Sequence, residues 1–200
     1  MNKKKLAVFV SGRGSNFISL HKNVTAGTIS LVVSDNPKAG ALDYAAENYI
    51  DSFVISVKDK DYVQHLLSIL QQYDIDYILL AGYLKKIPDE IVEKYRWRIL
   101  NIHPALLPKF GGKGMYGINV HRAVLQAGES ESGVTIHFID EDYDKGLIIA
   151  QEKVPVLDND TPEILAKRVL EVEHTLYPKI VQKLCEGKIK VEDNKIIIKE

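Results

Sequence analysis

Leu6-Ala7-Val8-Phe9-Val10-Ser11-Gly12-Arg13-Gly14-Ser15-Asn16-Phe17 sets the architecture. The unbroken apolar run Leu6–Val10 reads as a buried strand. A Gly-rich turn follows, and an apolar-periodic stretch from Phe17 reads as a helix. Strand, tight turn and helix together offer backbone N–H groups and a helix N-terminus to a phosphate. Ser15 or Asn16 is the expected N-cap. The turn is not a P-loop, which needs Gly-Lys-Ser/Thr. It is also a poor dinucleotide fingerprint: Phe17 stands where the third Gly belongs, although Asp35 lies about 20 residues on, where the ribose-binding acid of that fingerprint falls. A purely structural tight turn competes with the phosphate reading.

Downstream, the same alternation repeats. Strands are expected at Ile29–Val33, Ser52–Ile55 and Asp76–Gly82. Helices are expected over Ala41–Asn48, through Val63, Leu66, Leu67 and Leu70 at helical spacing, and over 88–95 from Pro88. This pattern predicts an α/β fold with a doubly wound, mostly parallel sheet and a Rossmann-like N-terminal half. After it comes Ile99-Leu100-Asn101-Ile102-His103-Pro104-Ala105-Leu106-Leu107-Pro108. Asn101 and His103 are two apart, so on a strand they share a face, and Pro104 ends the ladder. An amide and an imidazole then sit at a strand's carboxyl end, where open α/β sheets place their ligands. An amide N–H can stabilise an oxyanion, and His can move a proton near neutral pH. A strand-ending His satisfied by a backbone partner is the plainer alternative.

The second half changes character. Lys109–Gly117 is a Gly-rich loop, either a lid or a passive connection. A helix is expected through His121–Gln126, strands at Gly133–Ile139 and Ile148–Val156, and a long helix from Thr161-Pro162-Glu163 to Glu186 that Pro178 kinks or divides. Lys188–Ile198 closes as a hairpin with an Asp193-Asn194 turn. These last strands are antiparallel additions. The acidic stretch Asp140-Glu141-Asp142-Tyr143-Asp144 reads first as a solvated turn, and Glu173 and His174 as a boundary beside the helix's apolar stripe.

Composition narrows the function. The chain has 200 residues, 46% of them hydrophobic and 26% charged, with a net charge of −1. That is one ordinary globular domain, without the basic surplus expected for nucleic-acid or membrane-surface binding. One cysteine, Cys185, excludes an internal disulfide framework and fits a cytoplasmic setting. No HxxxH or CxxC pattern suggests a metal site. The run after Lys3-Lys4-Lys5 is too short for a signal peptide, and no stretch reaches the ~20 apolar residues of a membrane span.

Three stretches carry a resemblance: Ser11-Gly12-Arg13-Gly14-Ser15-Asn16, Asn101-Ile102-His103-Pro104-Ala105-Leu106-Leu107-Pro108, and Asp144 followed by Gly146. Together they resemble the folate-dependent formyltransferases of one-carbon metabolism, over essentially the whole chain. The Ser-Gly-x-Gly-Ser-Asn turn points to the glycinamide ribonucleotide branch and its deformylase relative. The resemblance implies a single formyltransferase domain over 1–200, with a phosphate-binding half at 1–100 and a catalytic, folate-binding half at 101–200. It implies transfer of the formyl group of 10-formyltetrahydrofolate, a co-substrate, to the amine of glycinamide ribonucleotide in purine biosynthesis, without a metal. The implied catalytic trio is Asn101, His103 and Asp144: Asn101 donates to the oxyanion, protonated His103 stabilises the same charge and donates a proton, and Asp144 raises the pKa of His103. Gly14, Ser15 and Asn16 would hold the substrate phosphate, and Glu173 its glycinamide or ribose part. Leu84, Lys85, Lys86 and Ile87, with Asn101, Asp140 and Glu141, would bind folate. In that family a basic residue upstream of the helix at Tyr62 commonly touches folate; Lys58 and Lys60 both stand there, and neither is assigned.

Two departures stand out. Lys145-Gly146-Leu147 replaces the commoner Gly-Gly-Pro, which bears on the pterin-loop geometry, and the loop Phe110–Gly117 is long and Gly-rich. The implied partners are two small molecules, with the chain a monomer or homodimer. The rivals are a formyltetrahydrofolate deformylase, a methionyl-tRNA transferase and a non-catalytic nucleotide-binding module. Deformylases usually carry an N-terminal regulatory domain, and this chain opens directly on its first strand. The tRNA enzymes carry a C-terminal domain and are more basic. A binding module would leave Asn101, His103 and Asp144 without a use.

Overall fold

The computed structural model describes residues 3–199. Seven strands form one sheet in the order β3-β2-β1-β4-β5-β6-β7. They are β1 (Lys4–Val10), β2 (Gly27–Ser34), β3 (Ser52–Val54), β4 (Tyr77–Leu80), β5 (Ile99–His103), β6 (Glu131–Phe138) and β7 (Ile148–Pro155). The first five are mutually parallel, and β6 and β7 add antiparallel pairings. The helices are α1 (Ser15–Asn23), α2 (Gly40–Glu47), α3 (Tyr62–Gln72), α4 (Asp89–Lys94), α5 (Ile118–Gln126) and α6 (Pro162–Cys185). A separate hairpin pairs β8 (Ile189–Glu192) with β9 (Lys195–Ile198), and its turn residues Asp193 and Asn194 both have positive φ, as a two-residue hairpin turn needs.

Period-2 alternation along β1 sorts the core into two layers. Leu6, Val8 and Val10 pack with residues of α1, α2 and α6 on one face, while Ala7 and Phe9 pack with α3 and α4 on the other. Every one of these strand residues is fully buried. Helices on both faces make the sheet doubly wound, and the strand order reverses direction between β1 and β4. That switch point leaves a crevice beyond the carboxyl ends of the strands.

Several local expectations are corrected. Gly14, not Ser15 or Asn16, is the α1 N-cap, with φ 78° and no side-chain cap. A Cβ there would lie 2.6 Å from Ala41 Cβ, so this position tolerates neither a side chain nor the loss of left-handed freedom. Helix α5 begins at Ile118, three residues before the expected start, and β6 begins at Glu131 and stops before Ile139. Pro178 does not divide α6, which runs unbroken through it. A helical Pro frees the carbonyl four residues back, here His174 O. The Ser19 hydroxyl of α1 donates to it at 2.7 Å, so the neighbouring helix satisfies what Pro178 cannot. The start of α6 is as expected, with Pro162 following a Thr161 cap that accepts from Ile164 N at 3.3 Å.

Candidate active site

The strand ends surround a cavity of about 750 Å³. The β1–α1 turn, the loop after β4, the end of β5, the Gly-rich loop and the acidic turn before β7 all line it. Gly14, Ser15, Asn16, Leu84, Lys85, Lys86, Ile87, Asn101, His103, Asp140, Glu141, Asp144 and Glu173 are all in that lining. Lys58 and Lys60 are not among the lining residues.

The centre is built from two antiparallel strands. Asn101 of β5 lies opposite His137 of β6, and His103 opposite Thr135. Because cross-strand partners share a face, four polar side chains gather on one side of the sheet. Thr135 Oγ1 donates to Ala105 O at 2.6 Å and accepts from Leu107 N at 3.0 Å. Gln151 Nε2 donates to Leu107 O and to the same hydroxyl. These bonds pin the Pro-rich turn that follows His103.

His137 is fully buried and donates from Nδ1 to Phe138 O at 2.8 Å. Its Nε2 is then the acceptor for Asn101 Nδ2 at 3.2 Å. The second amide hydrogen of Asn101 points toward Asp144 Oδ1 at 3.4 Å. His103 donates from Nε2 to Phe110 O at 2.8 Å, which leaves the Nδ1 lone pair facing Asp144 Oδ1 at 3.8 Å. Two acceptors facing each other at that distance form a ready place for one proton.

The charge balance corrects one expectation. Burial lowers the His103 pKa, and this outweighs the opposing pull of Asp144 and of the Phe110 carbonyl. His103 is therefore neutral at rest near pH 7, not protonated. Burial also pushes the Asp144 carboxyl up, but the His137 and His103 imidazoles, in the forms that carry a proton toward it, and the Gly112 N–H bring it below its usual range. Gly112 N donates to Asp144 Oδ2 at 2.8 Å, so the Gly-rich loop and the acidic turn are fastened together at this carboxylate.

The acidic turn divides as the spacing alone could not show. Asp142 is exposed and pairs with Lys145 at 2.9 Å, whereas the Asp144 side chain is only 11% exposed. The backbone permits no side chain at Gly146, where a Cβ would sit 1.9 Å from Phe138 O. Lys145 thus stays at the surface, and the glycine the turn requires is the one retained.

On the opposite wall, Asn16 Nδ2 donates to Glu173 Oε2 at 2.5 Å. Glu173 is 8% exposed, and burial pushes its pKa up to about 7 against the Asn16 hydrogen bond. Asn16 Oδ1 is buried without a partner. The first-turn amides of α1 have no carbonyl four residues back in the helix, and with Gly14 they form a cradle suited to an anion. Among the described residues no group of three or more His, Cys, Asp or Glu could hold a metal ion, and no helix is long and apolar enough to cross a membrane.

A family model described as formyl transferase matches residues 4–181. The chain belongs to the formyl transferase family. It is 50% identical over 197 residues to a chloroplastic phosphoribosylglycinamide formyltransferase of Arabidopsis thaliana, covering 94% of this chain and 68% of that one. The chain spans about two thirds of the length of the plant relatives it matches, with shares of 63% and 65% in two more. The Haemophilus influenzae phosphoribosylglycinamide formyltransferase is 33% identical, covering 96% of this chain and 92% of that one. The crystal structure of the Anaplasma phagocytophilum phosphoribosylglycinamide formyltransferase superposes with a TM-score of 0.91 at 36% identity, over 100% of this chain and 95% of that one. A Pseudomonas syringae formyltetrahydrofolate deformylase, 22% identical, shares the fold with a TM-score of 0.89, over 100% of this chain and 67% of that one.

Sequence reasoning missed two histidines of the site, His137 buried behind Asn101 and His121 in the cavity wall. His137 had a readable signal: Thr135 and His137 interrupt an apolar strand with the same two-residue spacing as Asn101 and His103. His121 of α5 lines the cavity, with its Nδ1 buried and unpartnered and its pKa lowered by burial to about 4. Nothing in the local sequence marks it.

Proposed function

We propose that the chain transfers a formyl group from 10-formyltetrahydrofolate to the amine of glycinamide ribonucleotide, giving formylglycinamide ribonucleotide and tetrahydrofolate. The observation that carries this reading is the convergence of an anion cradle, an amide–imidazole–carboxylate cluster and an apolar-walled loop on one cavity. The formyl transferase family supplies the reaction class, and relatives at 33–50% identity bear the same name for the acceptor.

The residues divide the work as follows. Gly14, Ser15 and Asn16 hold the acceptor phosphate with first-turn amides, and Glu173 meets the ribose or glycinamide portion. Leu84, Lys85, Lys86 and Ile87, with Asp140 and Glu141, hold folate. The neutral amine attacks the formyl carbon, the new C–N bond forms and the carbonyl oxygen becomes an oxyanion. Asn101 Nδ2 donates to it, exchanging its long 3.4 Å contact with Asp144 for a charged acceptor. One such donor is worth about 3 kcal/mol in the transition state of other enzymes. His103 Nδ1 takes the proton from the nitrogen that has attacked, and Asp144 stabilises the imidazolium. The proton then passes to the departing folate nitrogen as the old C–N bond breaks. His103 thus acts first as a base and then as an acid, which its neutral resting state favours.

Residues 1–100 then supply the phosphate cradle together with the folate loop 84–87, and residues 101–200 the catalytic trio together with Glu173, in one domain acting as a monomer or homodimer. The single cysteine supports a cytoplasmic setting, while the Arabidopsis relative is named chloroplastic. An absorbance assay of folate deformylation, with and without glycinamide ribonucleotide, tests the assignment. Turnover that depends on the acceptor is expected. Equal turnover without it would make the chain a deformylase and leave the anion cradle without a use.

A further inference from the structure

Asp35 is a residue that the reaction leaves unused, and its surroundings give it another task. It follows β2 directly, and its side chain is 10% exposed. Ser11, the first residue after β1, donates its hydroxyl to Asp35 Oδ1 at 2.5 Å. The same hydroxyl accepts the backbone N–H of Leu84 at 3.0 Å. Asp35 Oδ2 also lies 3.8 Å from Lys85 Nζ. Strands β2, β1 and β4 are neighbours in the sheet, so this tie crosses three adjacent strand ends and terminates on the loop 84–87.

We propose that Ser11 and Asp35 are positioning residues that fix the folate loop Leu84–Ile87 to the floor of the site, a role resting on the assignment of that loop to folate. Neither touches the reacting atoms; they act through the Leu84 amide and the Lys85 ammonium. The anion turn does not depend on the Ser11 hydroxyl. It is held by backbone bonds from Ala41 N to Gly12 O and from Ser11 N to Gly82 O, and by Asn36 Nδ2 to Ser11 O. Removing the hydroxyl therefore separates the two substrates: folate binding loses its preorganised loop while the phosphate cradle stays.

The test combines amide hydrogen exchange in the free protein with steady-state kinetics for both substrates. Ser11→Ala should speed exchange at Leu84 at least tenfold and raise the folate KM about fivefold, the worth of one net hydrogen bond. The acceptor KM, and kcat at saturating folate, should stay within twofold. Ser11→Thr, which keeps the hydroxyl, should restore both readouts. Asp35→Asn, which keeps an acceptor for Ser11 but loses the charge facing Lys85, should raise the folate KM about twofold. Unchanged exchange at Leu84 overturns the tether. Equal rises in both KM values overturn the selective role and make Ser11 a general support. Faster exchange with an unchanged folate KM overturns the link to folate. In the native protein, tetrahydrofolate should slow exchange at residues 84–87. Unaltered exchange there would overturn the folate assignment of the loop itself, whatever the variants do at Leu84.

Discussion

Glu173→Gln should stabilise the free protein at alkaline pH and leave it unchanged in acid. Burial raises the Glu173 pKa from an ordinary 4.5 to about 7. The folded state therefore holds a proton that the unfolded chain gives up between those values. Stability is full below the unfolded pKa and declines as pH rises through the folded one. Raising that pKa from 4.5 to about 7 is worth about 3 kcal/mol. Glu173 is 8% exposed, so solvent screening takes little from this figure. The neutral acid also carries a donor, which suits the unpartnered Asn16 Oδ1 beside it, and the Gln amide carries one permanently. For a chain of this size, 3 kcal/mol moves Tm by roughly 6–12 °C. Thermal melts of both proteins at pH 4 and pH 8.5 read the effect: coincident melts at pH 4, below the unfolded pKa, and a higher Tm for the variant at pH 8.5. A Tm difference of the same size at both pH values would refute the ionisation argument and leave only a packing effect.

Three further outcomes follow from the same geometry. His103→Gln should lower kcat/KM about a hundredfold or more, and the wild-type acidic limb should fall at an apparent pKa below the ordinary 6.5 of His, because burial lowers it; a limb above that value contradicts a base that is neutral at rest. Gly14→Val should abolish measurable binding of the phosphorylated acceptor in calorimetry while leaving folate affinity within twofold, since a side chain there meets Ala41 at 2.6 Å; unchanged acceptor affinity removes the phosphate assignment. Ser19→Ala should cost about 1–3 kcal/mol in urea unfolding, because it strips the His174 carbonyl of its donor; a smaller loss means that the freed carbonyl finds water.

Local pattern carried far in this chain. Contiguous apolar runs such as Leu6–Val10 are buried strands because a sheet covered on both faces leaves no polar side. The placement of Asn101 and His103 on one face follows from the two-residue period alone, and Thr161-Pro162 starts α6 because a cap and a fixed φ act within one turn. Other features lay beyond such reasoning. Gly14 caps α1 because Ala41, 27 positions along the chain, leaves no room for a Cβ. Helix α6 runs through Pro178 because α1 supplies a hydroxyl to the orphaned carbonyl.

The site divides in the same way. The residue types for an oxyanion donor and a proton carrier stand two residues apart in the sequence, and the resemblance to formyltransferases added Asp144. That Asp144 meets His103 and Asn101 follows from the antiparallel return of β6 and β7 and from the bare backbone at Gly146. His137 enters because its register sets it opposite Asn101. The protonation state of His103 is the clearest case. Sequence supplies the opposing charge, but burial decides the sign, and burial is a property of the packed protein. Periodicity and capping act over a few residues and are written in the chain; desolvation and cross-strand register depend on residues distant in sequence and exist only once the chain has folded.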